Sequence, residues 1–240
     1  MTKPLVSIIT VVLNNRQGIE RTLKSIAAQK YVPIEYIIID GGSTDGTQEI
    51  IGDYAALLHQ YISEPDGGIY YAMNKGVALA HGSIVGLLNS GDHYEADAIE
   101  AVVNAYLDYP EGDIFHGMLR VFDQSGAFKS VIGNHSSFLS TGMIEHPACF
   151  VKRAVYEKHG GFNLNYKSSS DYDFMLRMKR LGVNFVFIEQ ILTNYYTGGI
   201  SFQTRALLET LQIRKAFGLI SPLKKMLLEN IIKLRAFLKK

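Results

Sequence analysis

The chain has no tryptophan and a single cysteine, Cys149, among its 240 residues. One thiol excludes an internal disulfide and a cysteine-rich zinc site, and it fits a reducing compartment. Excess charge of either sign is also missing: 24 basic against 23 acidic side chains leave a formal net charge of +1. That balance argues against a nucleic-acid binder working through a basic surface. No apolar run approaches the roughly 20 residues that span a bilayer. Met1 to Pro4 leads straight into a strand-like run, with no signal peptide ahead of it. A soluble or membrane-peripheral protein is expected. Apolar residues are plentiful at 47%, enough for one sizeable core or one core with a small appendage.

The first half alternates. "PLVSIITVVLNN", "IEYIIID", "HQYIS" and "SIVGLL" are apolar, β-branched runs that predict strands. Between and after them, "RQGIERTLKSIAAQ", "GGSTDGTQEIIGDYA", "GGIYYAMNKGVALAHG" and "YEADAIEAVVNAYLDY" predict helices, the first with Ile19, Leu23 and Ile26 at helical spacing. Four β-α alternations argue for a parallel sheet with helices on both faces. After Asp113 the rhythm changes. Two strands are expected around Gln124-Ser125-Gly126, and "NHSSFLSTGMIEHP" reads as a loop. "ACFVKR" is a strand, "SSSDYDFMLRMKRLG" a helix with Phe174, Met175 and Met178 inward, and "VNFVFIEQILTNYYT" two further strands. From Ser201 the tail reads as helical throughout. Asp113 marks a subregion boundary within one domain.

In a parallel α/β sheet, ligands bind outside the carboxyl ends of the strands. The polar residues there are Asn14 and Asn15, Asp40, Glu64 and Asp66, and Asn89 to Asp92. Gly41, Gly42 and Gly46 permit a tight turn, but the pattern is neither a dinucleotide loop nor a P-loop. Asp45, with Gln48 three residues on, reads as a helix cap. Asp40 ends an apolar strand, where a carboxylate can meet a base or ribose. The helix opened by "SEPDGG" would favour a diphosphate at its N-terminus. Lys75 either pairs with phosphate or lies solvated. Asp92 is either a metal ligand, one carboxylate sufficing beside phosphate and water, or the cap of the helix expected near Tyr94. Asp171 and Asp173, two apart, do not share a helix face. One can enter a cleft as a general base while the other caps or pairs with Arg177. His146 is a structural hydrogen-bonder or a ligand.

Together "VSIITVVLNN", "IIIDGGSTDGT", "SEPDGGIYYAMNKG", "LLNSGDHY", "HPACFVKR" and "SSDYDFMLRM" resemble, in order and spacing, a family 2 glycosyltransferase over roughly residues 4 to 200. The forms "DGGIYYAMNKG" and "LNSGD" are similar to the bacterial polysaccharide branch, including colanic-acid-type transferases. The resemblance implies a GT-A fold: a Rossmann-like, mostly parallel sheet flanked by helices. A nucleotide-sugar half would occupy 1–112, an acceptor-side half 113–200, and a basic amphipathic helical tail 201–240.

The resemblance also implies roles. Asn14, Asn15, Asp40, Asp66, Lys75, Asn89 and Ser90 would bind the nucleotide, with Asp40 on the base. Asp92 would hold Mn2+ or Mg2+, with His146 as a further metal ligand or an acceptor-side residue. The family's acidic segment is thinned here to Asn89-Ser90-Gly91-Asp92, so one acid remains. Asp171 would be the catalytic base, preceded by Ser170 where the family often has Glu. The Q-x-x-R-W signature of processive synthases is absent, which implies a single-transfer enzyme.

An inverting, metal-dependent transfer from a nucleotide sugar, most simply a UDP-sugar, to a saccharide or lipid-linked saccharide is expected. The product would be a bacterial surface polysaccharide, and "NHSSFLSTGMIEH" is a candidate lid. Expected localisation is cytoplasmic, with a peripheral place on the inner face of the membrane. There Leu223, Met226, Leu227, Ile231 and Leu234 form an apolar stripe among Lys and Arg, suited to an anionic surface or to core packing. A nucleotidyltransferase and a non-catalytic nucleotide-sugar-binding protein are the rival readings.

Overall fold

The computed structural model describes residues 3–199 and 204–238. The first-half alternation forms as expected: β1 (Val6–Val12), α1 (Arg16–Ala27), β2 (Ile34–Asp40), α2 (Thr47–Asp53), β3 (Gln60–Ser63), α3 (Ile69–Leu79) and β4 (Ile84–Leu87). β5 (His93–Tyr94), α4 (Ala98–Asp108), β6 (Ile114–Phe122), β7 (Phe128–Ile132), β8 (Cys149–Lys152), α5 (Arg153–His159), α6 (Ser170–Arg180), β9 (Phe185–Tyr196), α7 (Thr204–Ala216) and α8 (Pro222–Leu238) follow.

The sheet runs β3-β2-β1-β4-β8-β6-β9-β5, with β7 on β6. β3, β2, β1 and β4 are parallel. β8 lies antiparallel between β4 and β6, β9 runs parallel to β6, and β5 pairs antiparallel with β9. Every residue of β1 and β4 is buried, because helices cover both faces of the parallel part. Alternate β1 side chains enter opposite cores. Val6 and Ile8 join Ile19, Leu23 and Ile26 of α1. Ile9 and Val11 join Met73 of α3 and Phe174, Met175 and Met178 of α6.

Four expectations are revised. The helix expected from Tyr94 starts at Ala98, because His93 and Tyr94 pair with Asn194 and Thr193 of β9. The two strands expected in "VNFVFIEQILTNYYT" are one. β9 shifts register where His116 faces Phe187 but Met118 faces Ile191, and that irregularity breaks the alternation that marks a single strand. The candidate lid is pinned: Leu139 and Ile144 are buried in the core, and Tyr172 donates its hydroxyl to the Leu139 carbonyl at 2.8 Å. Finally, the tail is not of one kind. In α7, Ala206, Leu211 and Ile213 are buried, Ile213 within the α3–α6 core, whereas α8 exposes its apolar stripe. Residues 201–203 and 239–240 of the expected helical tail lie outside the described residues.

Candidate active site

β1 sits between β2 and β4, so the strand order reverses there and a crevice opens at the carboxyl ends. Two asparagines tie the turns around it. Asn14 is exposed, adopts φ 49°, donates its N–H to Ser43 Oγ (2.7 Å) and accepts from Thr44 N (2.8 Å). Asn15 caps α1 through Gly18 N (3.1 Å) and sends Nδ2 to the carbonyl and hydroxyl oxygens of Ser90 (2.9 and 3.0 Å). Asn14, Asn15 and Ser90 are thus brought together at the ends of β1 and β4.

The turn after β2 is closed on itself. Asp40 is fully buried, and its carboxylate accepts from Ser43 N (3.1 Å to each oxygen), Ser43 Oγ (2.5 Å) and Ser63 Oγ (2.5 Å). The expectation that Asp40 meets the base is therefore corrected: the side chain lies beneath the loop and shapes it. Asp45 accepts from Arg16 N (3.0 Å) and from Thr47 N (3.1 Å) and Oγ1 (2.5 Å), serving the starts of α1 and α2 together.

Asp66 is half-buried. Its Oδ1 accepts from Gly68 N (2.7 Å), and a Cβ placed on Gly41 would stand 3.2 Å from Oδ2 and 3.4 Å from Leu13 Cδ1. Glycine at 41 thus leaves a slot between the Asp66 carboxylate and the exposed Leu13. Lys75 does not reach into this slot; its Nζ pairs with Glu64 Oε1 at 2.5 Å.

The turn after β4 is built differently. α1 holds it: Thr22 Oγ1 accepts from Gly91 N (2.9 Å) and donates to the Asp92 carbonyl (2.7 Å), and Arg21 Nη1 donates to the Gly91 carbonyl (3.1 Å). Gly91 has φ 102°, a conformation that favours glycine. Asp92 is only 4% exposed, and its Oδ1 accepts one backbone bond, from Tyr196 N (3.0 Å). Burial pushes its carboxyl up to about 7, against the pull of the Tyr196 N–H and the Arg21 charge. The cap alternative fails, because α4 begins at Ala98, beyond a two-residue strand, and its N-cap is Asp97. On the same turn, Asn89 Oδ1 is buried without a hydrogen-bond partner.

At the start of α6 the two acids divide. Asp173 is buried and pairs with Arg177 Nε at 3.0 Å. Asp171 points the other way: its Oδ1 accepts from Tyr70 Oη (2.9 Å) and Tyr172 N (2.9 Å). Burial, and then the Asp171 charge, hold the Tyr70 phenol far above its ordinary range, so it donates at any working pH. His146 is 7% exposed and edge-on to Phe162, with ring centroids 5.8 Å apart. Burial lowers its pKa, opposed by the charge of Asp171, which places the imidazole on the Asp171 side of the site.

Among the described residues, no three His, Cys, Asp or Glu side chains group to hold a metal ion. The expected pairing of His146 with Asp92 on one metal thus gains no such cluster. A hard cation shared with phosphate needs only one or two protein oxygens. Asp92, short of donors, and the orphaned Asn89 Oδ1 fit that smaller demand.

Sequence reasoning missed Tyr70, Arg21 and Tyr196. The Arg21 guanidinium lies 3.8 Å from the centroid of the Tyr196 ring and so braces the strand end that serves Asp92. Only Tyr70 carried a signal, as the apolar-facing tyrosine of a Gly-opened helix. The other two act through contacts 70 or more residues away in sequence.

The profile of "Glycosyl transferase family 2" matches residues 7–180. A protein of Mycobacterium tuberculosis named as an uncharacterised glycosyltransferase is 33% identical over 205 residues, covering 82% of this chain and 77% of that one. Two solved structures share the fold. S. aureus TarS 1-349 in complex with UDP-GlcNAc has a TM-score of 0.71 at 17% identity, covering 92% of this chain and 69% of that one. The mannosyltransferase PcManGT from Pyrobaculum calidifontis in complex with GDP-Man and Mn2+ has a TM-score of 0.70 at 20% identity, covering 88% and 63%. With its parallel half-sheet, its crevice at the β1/β4 reversal and this match, the chain belongs to glycosyl transferase family 2: it is a glycosyltransferase with a GT-A fold.

Proposed function

We propose that the chain is an inverting, metal-dependent enzyme that moves a sugar from a UDP-sugar to a saccharide or lipid-linked saccharide in bacterial surface polysaccharide biosynthesis. The arrangement at Asp171 carries this reading. Both donors bond Oδ1, and no described residue donates to Oδ2. Oδ2 is then the atom that takes the proton from an acceptor hydroxyl. As that hydroxyl oxygen attacks the anomeric carbon, the bond from carbon to the diphosphate oxygen breaks. Its electron pair leaves with the nucleoside diphosphate, and one displacement inverts the configuration. A divalent cation bound at Asp92 and Asn89 supplies charge stabilisation for the leaving diphosphate.

The donor side is consistent. The slot beside Gly41 offers one free carboxylate oxygen, Asp66 Oδ2. One acceptor matches the single imide N–H of uracil rather than the paired donors of guanine. The test is release of UDP from a panel of UDP-sugars with Mn2+. Asp171→Asn is expected to lower the rate about 10²- to 10⁴-fold; an unchanged rate would remove Asp171 as the base.

The α8 face supports a place at an anionic membrane surface. Leu223, Met226, Leu227, Ile231 and Leu234 are 41–70% exposed, and Lys224, Lys225, Lys233 and Arg235 surround them against Glu229 alone. No described helix is long and apolar enough to cross a membrane. Vesicles containing phosphatidylglycerol should bind the full chain and not a chain ending at Ser221. Equal binding would sink the idea, and loss of self-association on truncation would assign the face to a second copy instead.

A further inference from the structure

α7 reaches the residues just ahead of Asp171. The Glu209 carboxylate accepts three consecutive backbone N–H groups: Lys167 on Oε1 (3.0 Å), and Ser168 (2.8 Å) and Ser169 (3.1 Å) on Oε2. Ser169 Oγ donates to the Ala206 carbonyl (3.0 Å) and lies 3.3 Å from Thr210 Oγ1. Ser169 is the N-cap residue of α6, yet its side chain makes no cap bond. The cap hydroxyl is committed to α7, and Glu209 meets the N–H groups that lead into the helix. Ser168 and Ser169 are buried, so their N–H groups depend on a protein partner, whereas Lys167 is exposed. A carboxylate is the natural partner there, since charge-assisted bonds are strong and the helix start is electropositive. α7 is itself anchored by the buried Ala206, Leu211 and Ile213.

We propose that Glu209 is a positioning residue for the transfer reaction. Its carboxylate pins Lys167–Ser169 and so sets where Asp171 stands relative to Tyr70 and to the acceptor. The proposal rests on the reading of Asp171 as the base. It makes α7 part of the catalytic unit, while α8 alone is the appendage. A shift on the order of 1 Å at a reacting group costs about 10²-fold in rate.

Three full-length variants test it: Glu209→Ala, Glu209→Gln and, as a control on the same helix, the exposed Gln212→Ala. Amide exchange over residues 165–175 and steady-state turnover of the UDP-sugar used by the native chain are measured, with Asp171→Asn alongside. Glu209→Ala is expected to speed exchange at residues 167–169 by about tenfold or more. It should lower kcat about 10- to 100-fold while leaving the donor KM within about twofold. Glu209→Gln, whose amide oxygen still accepts, should recover part of both, and Gln212→Ala should change neither. Unchanged exchange at 167–169, or faster exchange with native kcat, overturns the proposal. If Asp171→Asn keeps native turnover, or no UDP-sugar is turned over, the reading of the reaction fails instead, and the exchange result still decides whether Glu209 pins the segment.

Discussion

Two turns leave the strands on either side of β1, and each buries an aspartate. After β2, Asp40 is surrounded by donors from Ser43 and Ser63. After β4, Asp92 receives one backbone N–H and is pushed up to about 7, while Asn89 Oδ1 beside it is orphaned. A buried carboxylate with its full set of donors is architecture: the loop is built around it, and nothing is left for a ligand. A buried carboxylate short of donors is costly until something supplies positive charge. The contrast separates acids that look equivalent in sequence, and it is what supports the proposal that 89–92 faces the diphosphate.

Removing each acid should therefore have very unequal effects on stability. Asp40→Ala strands the two buried Ser43 donors, N–H and hydroxyl, and is expected to lower unfolding free energy by about 3–5 kcal/mol. Asp92→Asn removes an under-served acid and should alter stability by about 1 kcal/mol or less at neutral pH. Urea denaturation of the two variants measures both, and equal losses would erase the distinction.

The same logic applied to Asp171 gives a smaller effect. Tyr70→Phe deletes one of the two donors to Oδ1 and should lower kcat about tenfold at unchanged donor KM, as expected for losing one hydrogen bond to a charged group. A rise in KM alone would make Tyr70 a binding residue.

Glu35 sharpens the comparison at its well-served end. Burial would raise its carboxyl, but bonds from Ser7 Oγ (2.5 Å), His81 N (2.8 Å) and His81 Nδ1 (2.7 Å) outweigh burial and hold it below its ordinary value of 4.5. A carboxylate lowered in the folded state stabilises above its unfolded pKa, and that stability is lost as pH falls through the folded value. Glu35→Gln should cost about 1 kcal/mol at pH 7, and the gap to the native chain should close below pH 4.5. A pH-independent gap would mean that packing, not charge, is responsible.

Much of this was legible in the sequence because it depends on local pattern. The apolar run "IEYIIID" forms β2 over its whole length, and two acids two residues apart at the start of α6 do divide, one to Arg177 and one to Tyr70. What escaped depends on distant partners. Asp40 reads as ligand-facing because Ser63, which closes its shell, comes 23 residues later. β9 reads as two strands because its irregularity interrupts the period. Glu209 drew no notice in the sequence, and only the folded chain brings it onto three N–H groups some 40 residues upstream.

The most direct test is calorimetric titration of UDP, with and without Mn2+, into the native chain and Asp92→Asn. If the under-served turn is the metal and diphosphate site, Mn2+ should tighten UDP binding to the native chain about tenfold or more, and Asp92→Asn should lose that gain while still binding UDP weakly. If UDP binds the two proteins equally and Mn2+ changes neither, Asp92 is one more structural acid and the metal-dependent mechanism is wrong.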